Sequence, residues 1–269
     1  MLVIGENINA SSKSVAEALT RKDRDFLQNL VRAQVAAGAD FIDVNSGIGN
    51  SAQDNEAATM EWLVEVVQEA TDRPLVIDSS NPGVIEAALH KYRGERLIIN
   101  SVTAEPERLT SIGSLAAKRQ AWLIALAMGE NGIPDTAEER LAACEQIMKR
   151  LTQLGLEAEQ IFFDPLMLPI AVDSNQGMVT LKTLEQIKAR YPTTRAVLGL
   201  SNISYGLPGR GLVNRSFLMM AAYAGLDAVI LNPLDAKMMG AVSVADMLTG
   251  KDNACRGYIR AYRRGILVD

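Results

Sequence analysis

Eight short, almost unbroken apolar runs recur along the chain: LVIGENI (2–8), DFIDVNS (40–46), PLVIDSS (74–80), RLIINSV (96–102), AWLIALAM (121–128), QIFFDPL (160–166), RAVLGLS (195–201) and DAVILNP (227–233). A strand that shows one face to water alternates apolar and polar side chains, whereas a strand covered on both faces reads as a continuous apolar stretch. Each run ends in polar, glycine or proline residues, so the runs read as buried parallel strands. Amphipathic segments separate them. Met60, Leu63, Val64 and Val67 follow the i, i+3, i+4, i+7 spacing of a helix face, as do Cys144, Ile147, Met148 and Leu151. NPGVIEAALHKY offers Asn81 as an N-cap and Pro82 at the first helical position. Eight strand–helix units within 269 residues predict one domain, 1–269, folded as a closed (β/α)8, or TIM, barrel. An open doubly wound sheet is the alternative, but its G-x-G-x-x-G signature is absent: VIGENINASSKS carries only Gly5.

Composition narrows the function. A formal net charge of −5 opposes nucleic-acid binding, which calls for a basic patch. No run of about 18 apolar residues appears, and MLVIGENINA lacks a signal-peptide pattern, so a cytoplasmic protein that does not enter membranes is expected. Cys144 and Cys255 both fall in helix-like stretches and read as packing residues, and His90 reads as a residue near a helix C-terminus. One histidine and two cysteines do not assemble a zinc site, so no bound metal is expected.

In a barrel of this kind the active site lies at the carboxyl ends of the strands. The polar residues there are Glu6, Asn7 and Asn9; Asp43 and Asn45; Asp78 and Ser79; Asn100 and Ser101; Asp164; Ser201 and Asn202; and Asn232. Any one of them alone reads as a helix cap. As a set, carboxylates and carboxamides without a cation, metal ligand or phosphate loop suit a neutral ligand rich in N–H and C=O groups. A carboxylate accepts paired N–H bonds from a guanidine-like ring edge, and Asn offers the adjacent amide both a donor and an acceptor. A pterin has that character, and so has a purine or a flavin ring.

The motifs GENIN, DVNSG, VIDSSN, IINSVTAE, FFDPLMLP and GLSNIS…GR…NRSFL, in that order, resemble those of the pterin-binding methyltransferases, the folate:corrinoid methyltransferases and the folate domain of cobalamin-dependent methionine synthase among them. The resemblance implies a pterin-binding barrel in which Asp78, Asn100 and Asp164 hold the pterin ring. It puts Asn202 near the methyl-bearing pterin nitrogen as the catalytic residue. It also places Asp43, Asn45, Ser201 and Arg210 in the folate site. Tyr205 departs from the family pattern, which has a glutamine there.

The implied reaction moves a methyl group between tetrahydrofolate and the cobalt of a corrinoid, in a direction these residues leave open. A tertiary amine is a poor leaving group, and a positioned proton or hydrogen bond relieves the problem. His90 is followed by KYRGER rather than a D-x-H-x-x-G pattern, so the cobalamin is expected on a separate corrinoid protein that docks at the barrel mouth near SYGLPGRG (204–211) and AVDSNQGM (171–178). A dihydropteroate-synthase-like condensation is the enzymatic alternative, opposed by Ser201-Asn202-Ile203 standing where such enzymes carry Ser-Arg-Lys. A non-catalytic folate-binding subunit is the other. DNACRGYIRAYRRGILVD (252–269) reads as the helix that closes the barrel, with Tyr258, Ile259 and Tyr262 beside Arg256, Arg260, Arg263 and Arg264, and as a contact in a homodimer.

Overall fold

The computed structural model describes residues 1–47 and 53–267. All eight apolar runs are strands: β1 (Leu2–Asn9), β2 (Phe41–Asn45), β3 (Leu75–Asp78), β4 (Leu97–Val102), β5 (Trp122–Leu126), β6 (Ile161–Asp164), β7 (Arg195–Gly199) and β8 (Ala228–Leu231). Each pairs in parallel with its sequence neighbour, and β8 pairs with β1, so the sheet closes into the expected barrel.

Helices α1 (Lys13–Arg21) and α2 (Arg24–Ala36) follow β1. One helix then follows each strand: α3 (Gln53–Gln68), α4 (Pro82–Lys91), α5 (Pro106–Arg119), α6 (Ala137–Gln153), α7 (Gln176–Arg190), α8 (Arg210–Tyr223) and α9 (Ala236–Leu248). The face of α3 formed by Met60, Leu63, Val64 and Val67 is fully buried against the barrel. Asn81 caps α4 by accepting a 2.9 Å hydrogen bond from the Gly83 N–H, with Pro82 opening the helix. A capping box between Thr136 and Glu139 starts α6. No helix among the described residues is long and apolar enough to cross a membrane.

Each strand contributes one buried side chain to the barrel interior: Ile4, Phe41, Val76, Ile98, Ile124, Phe162, Val197 and Ala228. Toward the amino-terminal ends this core finishes in an aromatic stack. Trp122 lies 5.9 Å from Phe41 and 5.5 Å from Phe162, centroid to centroid, and the Arg195 guanidinium covers Trp122 at 4.6 Å. The barrel is therefore filled and sealed below its mouth.

Two sequence expectations need correction. The helix that closes the barrel is α9; the C-terminal segment forms a separate short helix, α10 (Arg256–Arg263), which has no buried residue. Cys255 ends a one-turn 3-10 segment, Asn253–Cys255, that is interrupted by the left-handed Ala254. It precedes α10 in a left-handed conformation (φ 55°) and is partly exposed, whereas Cys144 is buried in α6 as expected.

Candidate active site

Two irregularities in the ladder shape the barrel mouth. Between Gly5 and Ile8 strand β1 gains a residue on β2, and between Asn100 and Val102 strand β4 gains one on β5. A bulge re-aims the side chains it carries, so Glu6 and Asn7, and Ser101 beside Asn100, sit where the pleat is broken. The first bulge rests on Gln34 of α2, which is fully buried and accepts a hydrogen bond from the Asn7 N–H at 3.1 Å. A Cβ at position 5 would meet the Gln34 Oε1 at 2.4 Å, so any larger residue there must push aside the Gln34 side chain that holds the bulge.

Strands β2 to β4 bring four of the expected residues into one network. The Asn45 Nδ2 donates to Asp78 Oδ2 at 2.9 Å, while Asn45 Oδ1 accepts from the Gly47 N–H. The Asn100 side chain bonds to Asp43. Burial pushes the Asp43 carboxyl well above the usual range; the Asp78 charge adds to this, the Asn100 bond works against it, and Glu6 adds further. Asp78 is also raised by burial, against the pull of its Asn45 bond and of the Arg108 guanidinium on α5. Glu6 is raised by burial and drawn down by Arg210. The mouth thus gathers three carboxyl groups that resist simultaneous ionisation.

Asp164 stands apart at the end of β6, and among the described residues no hydrogen bond joins it to that network. It is buried, accepts a 2.7 Å bond from the Leu166 N–H, and is pushed up to about 7 by burial. After β7 the chain makes a 3-10 turn, Leu200–Ser204, that presents Asn202 to solvent; its carboxamide has no hydrogen-bonding partner among the described residues. Arg210, the first residue of α8, pins this turn by donating to Ser201 O at 2.8 Å and Ser204 Oγ at 3.0 Å, and its guanidinium lies 6.0 Å from the ring of the exposed Tyr205. Ser201 therefore contributes its carbonyl to the Arg210 clamp.

Other polar strand-end residues build turns. Asn9 accepts from the Ser11 N–H, Ser79 from the Asn81 N–H, and Asn232 from the Leu234 N–H, all within about a hydrogen-bond length of 3 Å. The structure adds residues that sequence reasoning missed. Arg108, half-buried, donates to Ser101 O at 3.0 Å, so a cation does stand beside the acidic mouth. Asn214, within the NRSFL motif, borders a cavity of about 270 Å3 together with Glu6, Ser201, Arg210 and Asn232. Arg140 of α6 is fully buried behind Asp164.

Buried acceptors are left open. Asp43 Oδ1, Asn7 Oδ1 and Asn214 Oδ1 have no partner among the described residues. Such atoms are costly unless something donates to them, and a flat ligand with N–H groups along one edge fits that need. Among the described residues no group of three or more His, Cys, Asp or Glu side chains is arranged to hold a metal ion.

Fold and mouth together define a (β/α)8 barrel with a polar, acceptor-rich binding site at the carboxyl ends of its strands. The model of the pterin binding enzyme family matches residues 5–232, and the chain belongs to that family. It is 32% identical over 267 residues to a methylcorrinoid:tetrahydrofolate methyltransferase of Eubacterium limosum, covering 98% of this chain and 97% of the relative. It is 31% identical to a methionine synthase of Mycobacterium tuberculosis over 86% of this chain, which spans only 20% of that much longer protein. Among solved structures, 7,8-dihydropteroate synthase of Vibrio fischeri superposes with a TM-score of 0.72 over 93% of both chains at 17% identity, a likeness of fold.

Proposed function

We propose that this protein is a methyltransferase that moves a methyl group between the pterin nitrogen of tetrahydrofolate and a corrinoid carried on a separate protein. The observation that carries the reading is the exposed Asn202 carboxamide at the end of β7, without a hydrogen-bonding partner among the described residues, at the same end of the barrel as the open acceptors of Asn7 and Asp43. It is supported by the near full-length similarity to a protein named for that transfer.

In this reading Asp43, Asn45, Asp78 and Asn100 take the pterin from one side of the mouth and Asp164 from the other. Burial raises the Asp43 and Asp78 carboxyl groups, so they hold a proton more readily than a free carboxyl, and Asp164, raised to about 7, holds or releases one near neutrality; such groups match the mixed donors and acceptors of a ring edge. Asn202 then meets the reacting nitrogen. A carboxamide is not an acid, but its oxygen accepts from a protonated nitrogen and its N–H2 donates to a lone pair, so it stabilises whichever charge state forms during transfer. The bound corrinoid supplies the methyl-exchanging cobalt. Both directions share one transition state, so the same residues serve either. Arg210 fixes the turn that holds Asn202, and Tyr205 and Arg210 offer the docking partner an exposed aromatic and cationic edge.

The chain works, in this reading, in the cytoplasm, with both cysteines unpaired, and as a homodimer. The surface suited to pairing is the apolar groove between the α6 N-terminus, α7 and α8, about 980 Å3, where Met178, Met220 and Tyr223 are exposed; α10 is too polar a surface to lead it.

An anaerobic optical assay tests the function. Protein, methyltetrahydrofolate and cob(I)alamin should give methylcobalamin at a rate proportional to enzyme, and the reverse mixture should consume it. Absence of turnover with both free cobalamin and corrinoid proteins, alongside measurable folate binding, would overturn the methyltransferase reading in favour of a binding subunit.

A further inference from the structure

Arg140 is the largest fully buried side chain in the molecule's described part, and its guanidinium has no salt-bridge partner there. It is instead surrounded by neutral acceptors. Nε donates to Pro134 O at 2.9 Å, Nη1 to Pro165 O at 3.1 Å and Leu166 O at 3.0 Å, and Nη2 to Gln176 Oε1 at 2.8 Å. Thr180 Oγ1 accepts from Nη1 at 3.4 Å and itself donates to Leu166 O at 2.7 Å. A buried cation is expensive unless its field is used. Here two of its acceptors are the carbonyls of the residues that immediately follow Asp164. Leu166, whose N–H holds the Asp164 carboxylate, sits at φ 64°, a left-handed conformation that a leucine adopts only when its surroundings enforce it.

We propose that Arg140 is the positioning residue for Asp164: it locks the Asp164–Pro165–Leu166 turn in the one conformation that aims the carboxylate into the mouth, and it supplies the positive charge that keeps that carboxylate available as an acceptor. The proposal rests on the reading of Asp164 as a pterin contact. The charge matters because burial drives Asp164 toward its neutral form, and this is opposed first by the Leu166 N–H bond and then by the Arg140 charge. The other titratable group facing Asp164 from α6 is the Cys144 thiol, one turn along, itself held protonated by burial. Asp135 faces Arg140 from the preceding loop. Strand β5 contributes only apolar side chains, β7 carries its one charge, Arg195, at the far end, and α7 presents the neutral Gln176 and Thr180.

The test is tetrahydrofolate binding by calorimetry from pH 5.5 to 9, on the wild type, Arg140→Lys and Arg140→Met, with circular dichroism to establish folding. Wild-type affinity should rise through a midpoint near 7 as Asp164 loses its proton. Arg140→Met should move that midpoint upward by about one pH unit or more, the usual effect of removing an adjacent opposite charge. Arg140→Lys keeps the charge but not the fork, so its midpoint should stay while affinity falls roughly tenfold to a hundredfold, as when the partner that orients a contacting group is lost. An unmoved midpoint in a folded Arg140→Met protein overturns the electrostatic half, and wild-type affinity in Arg140→Lys overturns the positioning half. If Arg140→Met does not fold, Arg140→Gln, which removes the charge but keeps hydrogen-bond donors for the Pro165 and Leu166 carbonyls, takes its place in the midpoint test. Failure of the wild type to bind tetrahydrofolate would instead count against the pterin contact itself.

Discussion

Asp164 illustrates how a binding residue can oppose the stability of its own fold. Its carboxyl is held up to about 7 against an ordinary 3.8, so the folded protein keeps a proton that the unfolded chain releases. The associated stability is fully present below the unfolded value and is lost as pH rises through the folded one. At pH 8 the strain amounts to about 4 kcal/mol. Asp164→Asn keeps an oxygen for the Leu166 N–H and should therefore unfold at higher temperature than wild type at pH 8, with the gap closing by pH 4; parallel melts across that range check it. For the proposed chemistry, Asn202→Ala should lower methyl transfer about 10²–10³-fold, the scale of one lost transition-state contact, with tetrahydrofolate affinity nearly unchanged. Asp78→Ala should weaken both rate and binding, because it also strips Asn45 Nδ2 of its acceptor. Single-turnover rates and calorimetry separate the two; equal loss of binding in both variants would sink the role given to Asn202. The strand-end acids were legible because a carboxylate after an apolar run stands out. Arg140 was not, since an arginine in TAEERLAACE looks like any solvated helix residue until the loop it clamps folds over it.

At the scale of elements, the pattern of unbroken apolar runs announced all eight strands, because a strand buried on both faces leaves little choice of side chain. The bulges were hidden. They depend on which residues face each other across two strands, a relation between segments far apart in sequence. Gly5 was visible as a lone glycine, but its reason lies in Gln34, whose Oε1 occupies the space a side chain would need while holding the Asn7 N–H. Gly5→Ala should cost about 1–3 kcal/mol, as overpacking does, and should disturb the mouth as well. The checks are denaturant midpoint and pterin affinity in the same variant, both expected to fall. The C-terminal segment was misread for a related reason: Tyr258, Ile259 and Tyr262 give a helical face, yet α9 already fills the last gap around the barrel, leaving α10 outside it.

For the whole molecule, polar chemistry is concentrated at one end and packing at the other. The apolar groove beside α7 and α8 belongs to neither end, and its exposed Tyr223, Met178 and Met220 fit a second copy in our reading. Tyr223→Glu should turn the dimer into a monomer by sedimentation velocity while leaving the folded barrel intact; a monomeric wild type would remove the homodimer from the proposal. The aromatic stack of Phe41, Trp122 and Phe162 beneath the barrel core has a different consequence. It makes the barrel a vessel with a single door. In our reading, a folate seated in the mouth leaves only by the way it came, and a partner docked over the mouth stands in that doorway. The same reading makes departure ordered: the last to arrive is the first to go, and a long-lived docked partner slows the exchange of the folate beneath it.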